Sequence, residues 1–442
     1  MKIFLNCLLA VTPAVGLGFL FSASPPAALA ATGAVIATIL IFLNFKHGLY
    51  LVILTIPVSL TFFVGPFKVF LQEIFIGLTA LSFLASSLIR KEPVKINSFY
   101  TPFWLAFALY YLFNLSLVSV DPGKSLLWYF HFLESVALYF LTVNLVSRRP
   151  EEKKRLVNLI IFAAFLQAGL GVLQHFTGSF GANFISDRGY LGILGLGSGR
   201  VWHAGGTLGA FNIFANYLAL SLCLALPFVF EKDSPRRLWI MAGIILAGFI
   251  FTYSRGGLLG FTGAFLFIAG HKLPKKVFLA SLIIVALAGG FMAARAVKNY
   301  YYAETMGYAG RKEIWSRPWS VITQNAGTFL LGTGTNTYGL VVPYPPDVPP
   351  EQRNLWFAHN YYILAWQSRG LIGVALFLIL GITAIVRGAG NHLREDWFSA
   401  NLKAGAAAVF IVSLLHGFFD HAFDLVPISN LVYLTLALSE GR

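Results

Sequence analysis

Apolar runs about twenty residues long alternate with short polar connections along almost the whole chain. A membrane-spanning helix needs about 20 mostly apolar residues. By that measure the candidate spans are roughly 3–22, 28–45, 48–65, 70–89, 100–119, 126–146, 156–174, 205–230, 237–254, 256–271, 277–297, 360–386, 402–419 and 425–440. The segment 256–271 is short and 425–440 carries Pro427, so about 12–14 spans are expected. The pattern breaks once at length, over residues 298–361, where Tyr300, Tyr301 and Tyr302 lead into Gly310-Arg311-Lys312-Glu313-Ile314-Trp315. A proline tract follows (Pro343, Pro345, Pro346, Pro349, Pro350), and the stretch closes on Ala358-His359-Asn360-Tyr361. Connections longer than about 15 residues are usually functional or disordered. This one, rich in aromatics and holding Arg and His, reads as the working surface of a single integral membrane domain covering residues 1–442, with 298–359 as its large loop.

Composition agrees. Hydrophobic residues make up 57% of the chain and charged residues 11%, against roughly 25% charged in soluble domains. The fold class expected is therefore all-α, a polytopic helical bundle in a membrane. Cys7 and Cys223 both lie in apolar runs and suggest neither a disulfide framework nor a zinc site. The formal net charge of +14 is spread over short connections instead of forming a basic domain, which argues against nucleic acid. Lys2, the apolar run after it and Ala28-Leu29-Ala30 resemble a signal peptide; we read the segment as an uncleaved first helix.

Charge also orients the spans. With the N-terminus inside, alternate connections collect Lys46; Arg90, Lys91 and Lys95; Arg148, Arg149, Lys153, Lys154 and Arg155; Lys232, Arg236 and Arg237; Lys272, Lys275 and Lys276; and Arg387, Arg394 and Lys403. This is the positive-inside pattern. It puts both termini in the cytoplasm and the 298–359 loop outside, with 175–204, the Ser254-Arg255-Gly256-Gly257 turn and 416–424. The outer arginines are few: Arg188, Arg200, Arg255, Arg311, Arg317 and Arg353. Guanidinium groups match phosphate oxygens bidentately, so an anionic substrate is the natural reason for them.

Arg255 sits between two apolar segments with almost no loop, where an ionisable residue marks a site by default; a snorkelling helix-end arginine is the plain alternative. Tyr253 precedes it. The 175–204 connection holds Asp187-Arg188, a glycine-rich run and Arg200-Val201-Trp202-His203, and glycine-rich backbone entering a helix can present amides to phosphate. His359, at the end of the large loop, can take a proton from an attacking hydroxyl, or can be an interfacial histidine. Arg311 and Trp315 share a stretch of helical, amphipathic spacing that suits sugars and phosphates, or an interfacial belt. His416, Asp420, His421 and Asp424 fall near one helix end, as a polar network or a metal site; no metal is expected. No Walker motif and no zinc-protease signature occur.

Three blocks resemble the O-antigen ligase and polymerase family of bacterial inner membranes. They are Gly206-Thr207-Leu208-Gly209 with Asn212 and Ala215-Asn216-Tyr217; Tyr253-Ser254-Arg255-Gly256-Gly257; and His359-Asn360-Tyr361 followed by Gly370-Leu371-Ile372-Gly373. Gly310-Arg311 with Trp315, and His416-Gly417-Phe418-Phe419-Asp420, are similar to further family features, so the resemblance spans about residues 150–440. It implies a GT-C-like fold and a metal-independent, inverting glycosyltransferase without cofactor. The donor would be a glycan on undecaprenyl diphosphate at the periplasmic leaflet. Arg255 and Arg200 would hold the diphosphate, with Arg188 as the rival of Arg200, and His359 would be the general base. Arg188, Arg311, Asn360, Trp315 and Tyr253 would contact substrate. Where the family commonly has an acidic residue before its Gly-x-x-Gly element, this chain has Ser368-Arg369. A ligase acting on lipid A-core is the leading expectation, followed by a polymerase and a protein O-oligosaccharyltransferase. A transporter with an anion pathway is the reading from another class.

Overall fold

The computed structural model describes residues 25–64, 67–180, 185–186, 201–284, 286–287, 308–344, 357–390 and 396–440. Helices dominate. They are α1 (Pro25–Leu43), α2 (Lys46–Thr55), α3 (Leu71–Arg90), α4 (Thr101–Phe113, extended by a π-turn to Val118), α5 (Pro122–Arg148), α6 (Glu151–Thr177), α7 (Phe211–Val229), α8 (Arg236–Ile250) and α9 (Arg255–Lys272). Then come α10 (Tyr308–Ile322), α11 (Ala326–Leu331), α12 (Tyr338–Val341), α13 (Tyr361–Ala389), α14 (Trp397–His416) and α15 (Val426–Ser439); residues 275–284 are also helical. Among the described residues seven helices are long and apolar enough to cross a membrane: α3, α4 with its π-turn, α5, α6, α7, α13 and α14. The all-α, multi-pass expectation holds.

Helix ends follow local chemistry. Pro122 stands at the start of α5, where its missing N–H is no loss, and the Asp121 side chain accepts from Lys124 N. Gly178 ends α6 in the left-handed conformation. Asp396 caps α14 through Ser399 N. Helix α7 is the buried centre: from Phe214 to Val229 every residue is buried, and α8, α9, α14 and α15 surround it. The outward faces carry Leu88, Ile89, Leu105, Leu109, Ile382 and Val386, the apolar surface that lipid would cover.

One expected span is corrected, and another carries a break. The segment 48–65 is a helix only to Thr55; Thr61–Val64 then pairs antiparallel with Phe67–Phe70 as β1 and β2. Pro57 cannot continue the hydrogen-bond ladder of a helix, and the β-branched and aromatic residues after it suit a strand. The segment 360–386 is helical but broken at Gly370, whose φ of 63° and ψ of −176° leave the helical region. The two halves, 361–369 and 371–389, are joined by a backbone conformation that side chains with a Cβ do not tolerate.

The bundle has two chemically different ends. At one end the basic residues of the connections find acidic partners: Lys46 and Arg155 on Glu152, Arg148 on Glu92, Lys272 on Glu231 and Arg387 on Glu440. At the other end the connections pack on each other. Gln174 accepts from the amides of Gly205 and Gly206, Thr207 Oγ1 donates to Pro57 O, and Val120 N donates to Thr333 O. The described part of the 298–361 stretch is folded there: α10, α11 and α12 pack on the first half of α13.

Candidate functional site

Arg255 opens α9, and Ser254 caps that helix by accepting from Gly257 N. The Ser254 hydroxyl in turn donates to Asn212 Oδ1 at 2.7 Å, which ties the turn to the start of α7. Segment 203–204 closes over the same turn: Ala204 N donates to Phe251 O, and His203 Nδ1 lies 2.9 Å from Thr252 O. His175 stacks on Phe251 at 4.1 Å between ring centroids, and Tyr253 lies between His175 and His203. Tyr253 takes a positive φ of 56°, a conformation uncommon outside glycine and tolerated where surroundings hold it. The Arg255 side chain is exposed and makes no hydrogen bond or ion pair among the described residues. A guanidinium at a helix N-terminus, with backbone amides behind it, is an anion-binding arrangement.

His359 also takes a positive φ, 44°. It stands just before α13, where Asn360 caps the helix by accepting from Ile363 N and donates to Phe418 O. Trp315 Nε1 donates to Ala358 O at 2.7 Å, so α10 fixes the backbone one residue ahead of His359. His359 Nδ1 stands 3.9 Å from Asp420 Oδ1, and His421 Nδ1 stands 3.1 Å from the same oxygen. Burial would raise the Asp420 carboxyl, but hydrogen bonding by His359 and His421, with the charge of His421, outweighs it and holds it well below the usual range. Burial likewise opposes charge on His421, and the Asp420 carboxylate overcomes it and pushes the imidazole up.

One turn carries both halves. Tyr361 N donates to Gly417 O at 2.7 Å on one side. On the other, Gly256 abuts the turn so closely that a Cβ there would meet Phe419 Cβ at 2.7 Å. Asn216 Nδ2 and His416 Nδ1, 3.0 Å apart, anchor the turn to α7. Arg255 and His359 therefore flank residues 416–420. This puts a group able to hold an anion on one flank of the turn and an imidazole 3.9 Å from a carboxylate on the other.

Among the described residues two groups have metal-ligating atoms within 4.8 Å of one another, His359–Asp420–His421 and Glu73–His131–Glu134. The set read from spacing does not converge: His416 turns to Asn216, and Asp424 pairs with Arg369. Arg188 and Arg200 lie outside the described residues. Arg311 belongs to α10, but its side chain is likewise outside the described part. Asn360 is 6% exposed, and both ends of its amide are engaged by backbone.

Sequence reasoning missed His175 and His203, which shape the Arg255 turn. Nothing in their local sequence separates them from interfacial histidines. The partner of Arg369 was missed too, although a charged residue inside an apolar segment was its signal.

A many-helix membrane bundle with a polar, cation-bearing site at one end defines the class of this protein. Residues 240–378 match the family described as O-antigen ligase. The matched stretch includes Tyr253, Arg255, Arg311, Trp315, His359 and Asn360. No curated protein matches the chain.

Proposed function

We propose that the protein is a glycosyltransferase of the ligase type, moving a polysaccharide from undecaprenyl diphosphate to a lipid A-core hydroxyl. The observation that carries the reading is the shared turn 416–420, with exposed Arg255 on one flank and His359, facing Asp420, on the other. In this scheme Arg255, together with Arg200 or Arg188, binds the diphosphate. His359 takes the proton of the acceptor hydroxyl. The acceptor oxygen bonds to the anomeric carbon as the bond from that carbon to the diphosphate oxygen breaks, with inversion. Undecaprenyl diphosphate leaves with the electron pair, and arginine charge stabilises it, so neither metal nor cofactor is required. Asp420 orients the imidazole and stabilises its charged form. Tyr253, Trp315 and Arg311 border the sugar path.

The basic end of the bundle is assigned to the cytoplasm of the bacterial inner membrane by the positive-inside rule. Both termini then lie inside, and the site and the 298–359 loop lie in the periplasm. Residues 1–442 act as one integral membrane unit.

The test is transfer from a synthetic undecaprenyl-diphosphate glycan by purified protein in detergent. Lipid A-core and a second donor molecule are offered separately as acceptors. Product on lipid A-core that disappears in R255A and H359A supports the ligase. Lengthened undecaprenyl-linked chains make it a polymerase, and transfer to neither overturns both.

A further inference from the structure

Arg369 is the last residue before the break in α13. Its side chain is 3% exposed, and Nη2 donates to both carboxylate oxygens of Asp424, at 2.8 and 2.9 Å. Three rings enclose the guanidinium: Trp128 at 4.8 Å, Tyr361 at 5.5 Å and Tyr111 at 5.9 Å from ring centroid to Cζ. Tyr110 donates to the Arg369 carbonyl. A charged pair buried this deeply is a poor way to gain stability, because apolar side chains of similar volume do as well or better. What it supplies is a fixed geometry.

That geometry joins two segments. Arg369 closes the half-helix 361–369, whose other end carries His359 and Asn360. Asp424 closes the 3-10 turn Ala422–Asp424, which follows Asp420 and His421 directly. The same segments are already tied at their near ends by Tyr361 N to Gly417 O and Asn360 Nδ2 to Phe418 O. Two ties leave a hinge only if one is removed.

We propose that Arg369 and Asp424 are positioning residues for transfer, holding the His359 segment at its working distance from Asp420. The proposal rests on the reading of His359 as the group that takes the acceptor's proton. Lysine is a poor substitute: its ammonium lacks the planar guanidinium that lies among Trp128, Tyr361 and Tyr111 while Nη2 donates to both carboxylate oxygens.

The experiment measures kcat and donor KM of full-length protein for R369K, D424N and the double variant R369M/D424L, with H359Q alongside. Melting temperature in detergent is followed for each. R369K and D424N are expected to lose about 10- to 100-fold in kcat, the scale of a small misplacement at a reacting centre, with donor KM within about twofold of wild type. R369M/D424L is expected to keep the wild-type melting temperature and still lose kcat. Wild-type kcat in R369K, or in a folded R369M/D424L, overturns the positioning role, as does a loss that appears in KM alone. Full turnover by H359Q overturns the reading beneath it instead, and this proposal with it.

Discussion

The amide nitrogen of Tyr361 donates to the carbonyl oxygen of Gly417 at 2.7 Å. These residues lie far apart in sequence, one at the start of α13 and the other just past the end of α14. The bond places His359, two residues before Tyr361, opposite Asp420, three residues after Gly417. It uses main-chain atoms only, so no side-chain pattern announces it.

If Arg255 stabilises a departing diphosphate, R255A should lower kcat by about 100- to 1000-fold, the usual scale for one electrostatic contact made in the transition state. R255K should recover part of that loss, because it restores charge without the fork. Steady-state transfer kinetics with a lipid-linked glycan donor check both. Equal activity in the three proteins would remove Arg255 from the site.

His359 should behave as a proton acceptor. H359Q keeps a side chain able to hydrogen-bond but cannot take the proton, and its kcat should fall by about 100- to 10,000-fold. Donor binding, measured by displacement of a fluorescent lipid diphosphate, should change little. A variant that binds poorly and turns over normally when saturated would make His359 a binding residue.

The Asp420–His421 pair predicts a pH dependence of stability. The Asp420 carboxyl is depressed when folded, so its contribution is present above the unfolded value of about 3.9 and is lost as pH falls through the folded value. The His421 imidazole is raised, so its contribution is complete below about 6.5 and is lost as pH rises through the folded value. Melting temperature in detergent should therefore hold from about pH 5 to 6.5 and decline on the alkaline side. H421Q should abolish the decline that this pair causes, and an unchanged slope in that variant would remove His421 as its source.

Gly370 should resist substitution. Its φ and ψ fall where essentially only glycine is found, and a Cβ there would run into the backbone of Leu330 and Leu331. The loop from Thr333 to Gly334 donates its amides to Gln367 O and Ser368 O just ahead of the break, so the neighbours cannot simply withdraw. G370A should cost of order 1–3 kcal/mol from the backbone conformation, before the clash is counted. Chemical denaturation in mixed micelles measures it; a cost below about 0.5 kcal/mol, the range of neutral surface changes, would contradict this account of the break.

Transfer should survive EDTA if arginine charge alone serves the leaving group. The His359–Asp420–His421 group has the donor types of a metal site. Loss of activity in EDTA, restored by zinc or manganese, would therefore make that group a metal centre and end the metal-independent scheme.

The sequence by itself determined the class of this protein. Runs such as 70–89, 156–174 and 402–419 are too long and too apolar for any environment but lipid, and each appears as a helix within a few residues of its expected ends. The segregation of basic residues on alternate connections was equally legible: Lys46, Arg148, Lys272 and Arg387 now pair at one end of the bundle. Arg255 stood out because it interrupts an apolar pattern, and His359 because it closes the long polar stretch next to an apolar segment; neither signal needs knowledge of neighbours. Tertiary structure decided the rest. That His359 faces Asp420, that Trp315 holds Ala358 and that Arg369 reaches Asp424 all depend on which helix ends meet. Those meetings are set by main-chain hydrogen bonds and by close approach at Gly256, Gly332 and Gly370. Hydropathy records how much apolar surface a segment must bury, but not which partner will bury it.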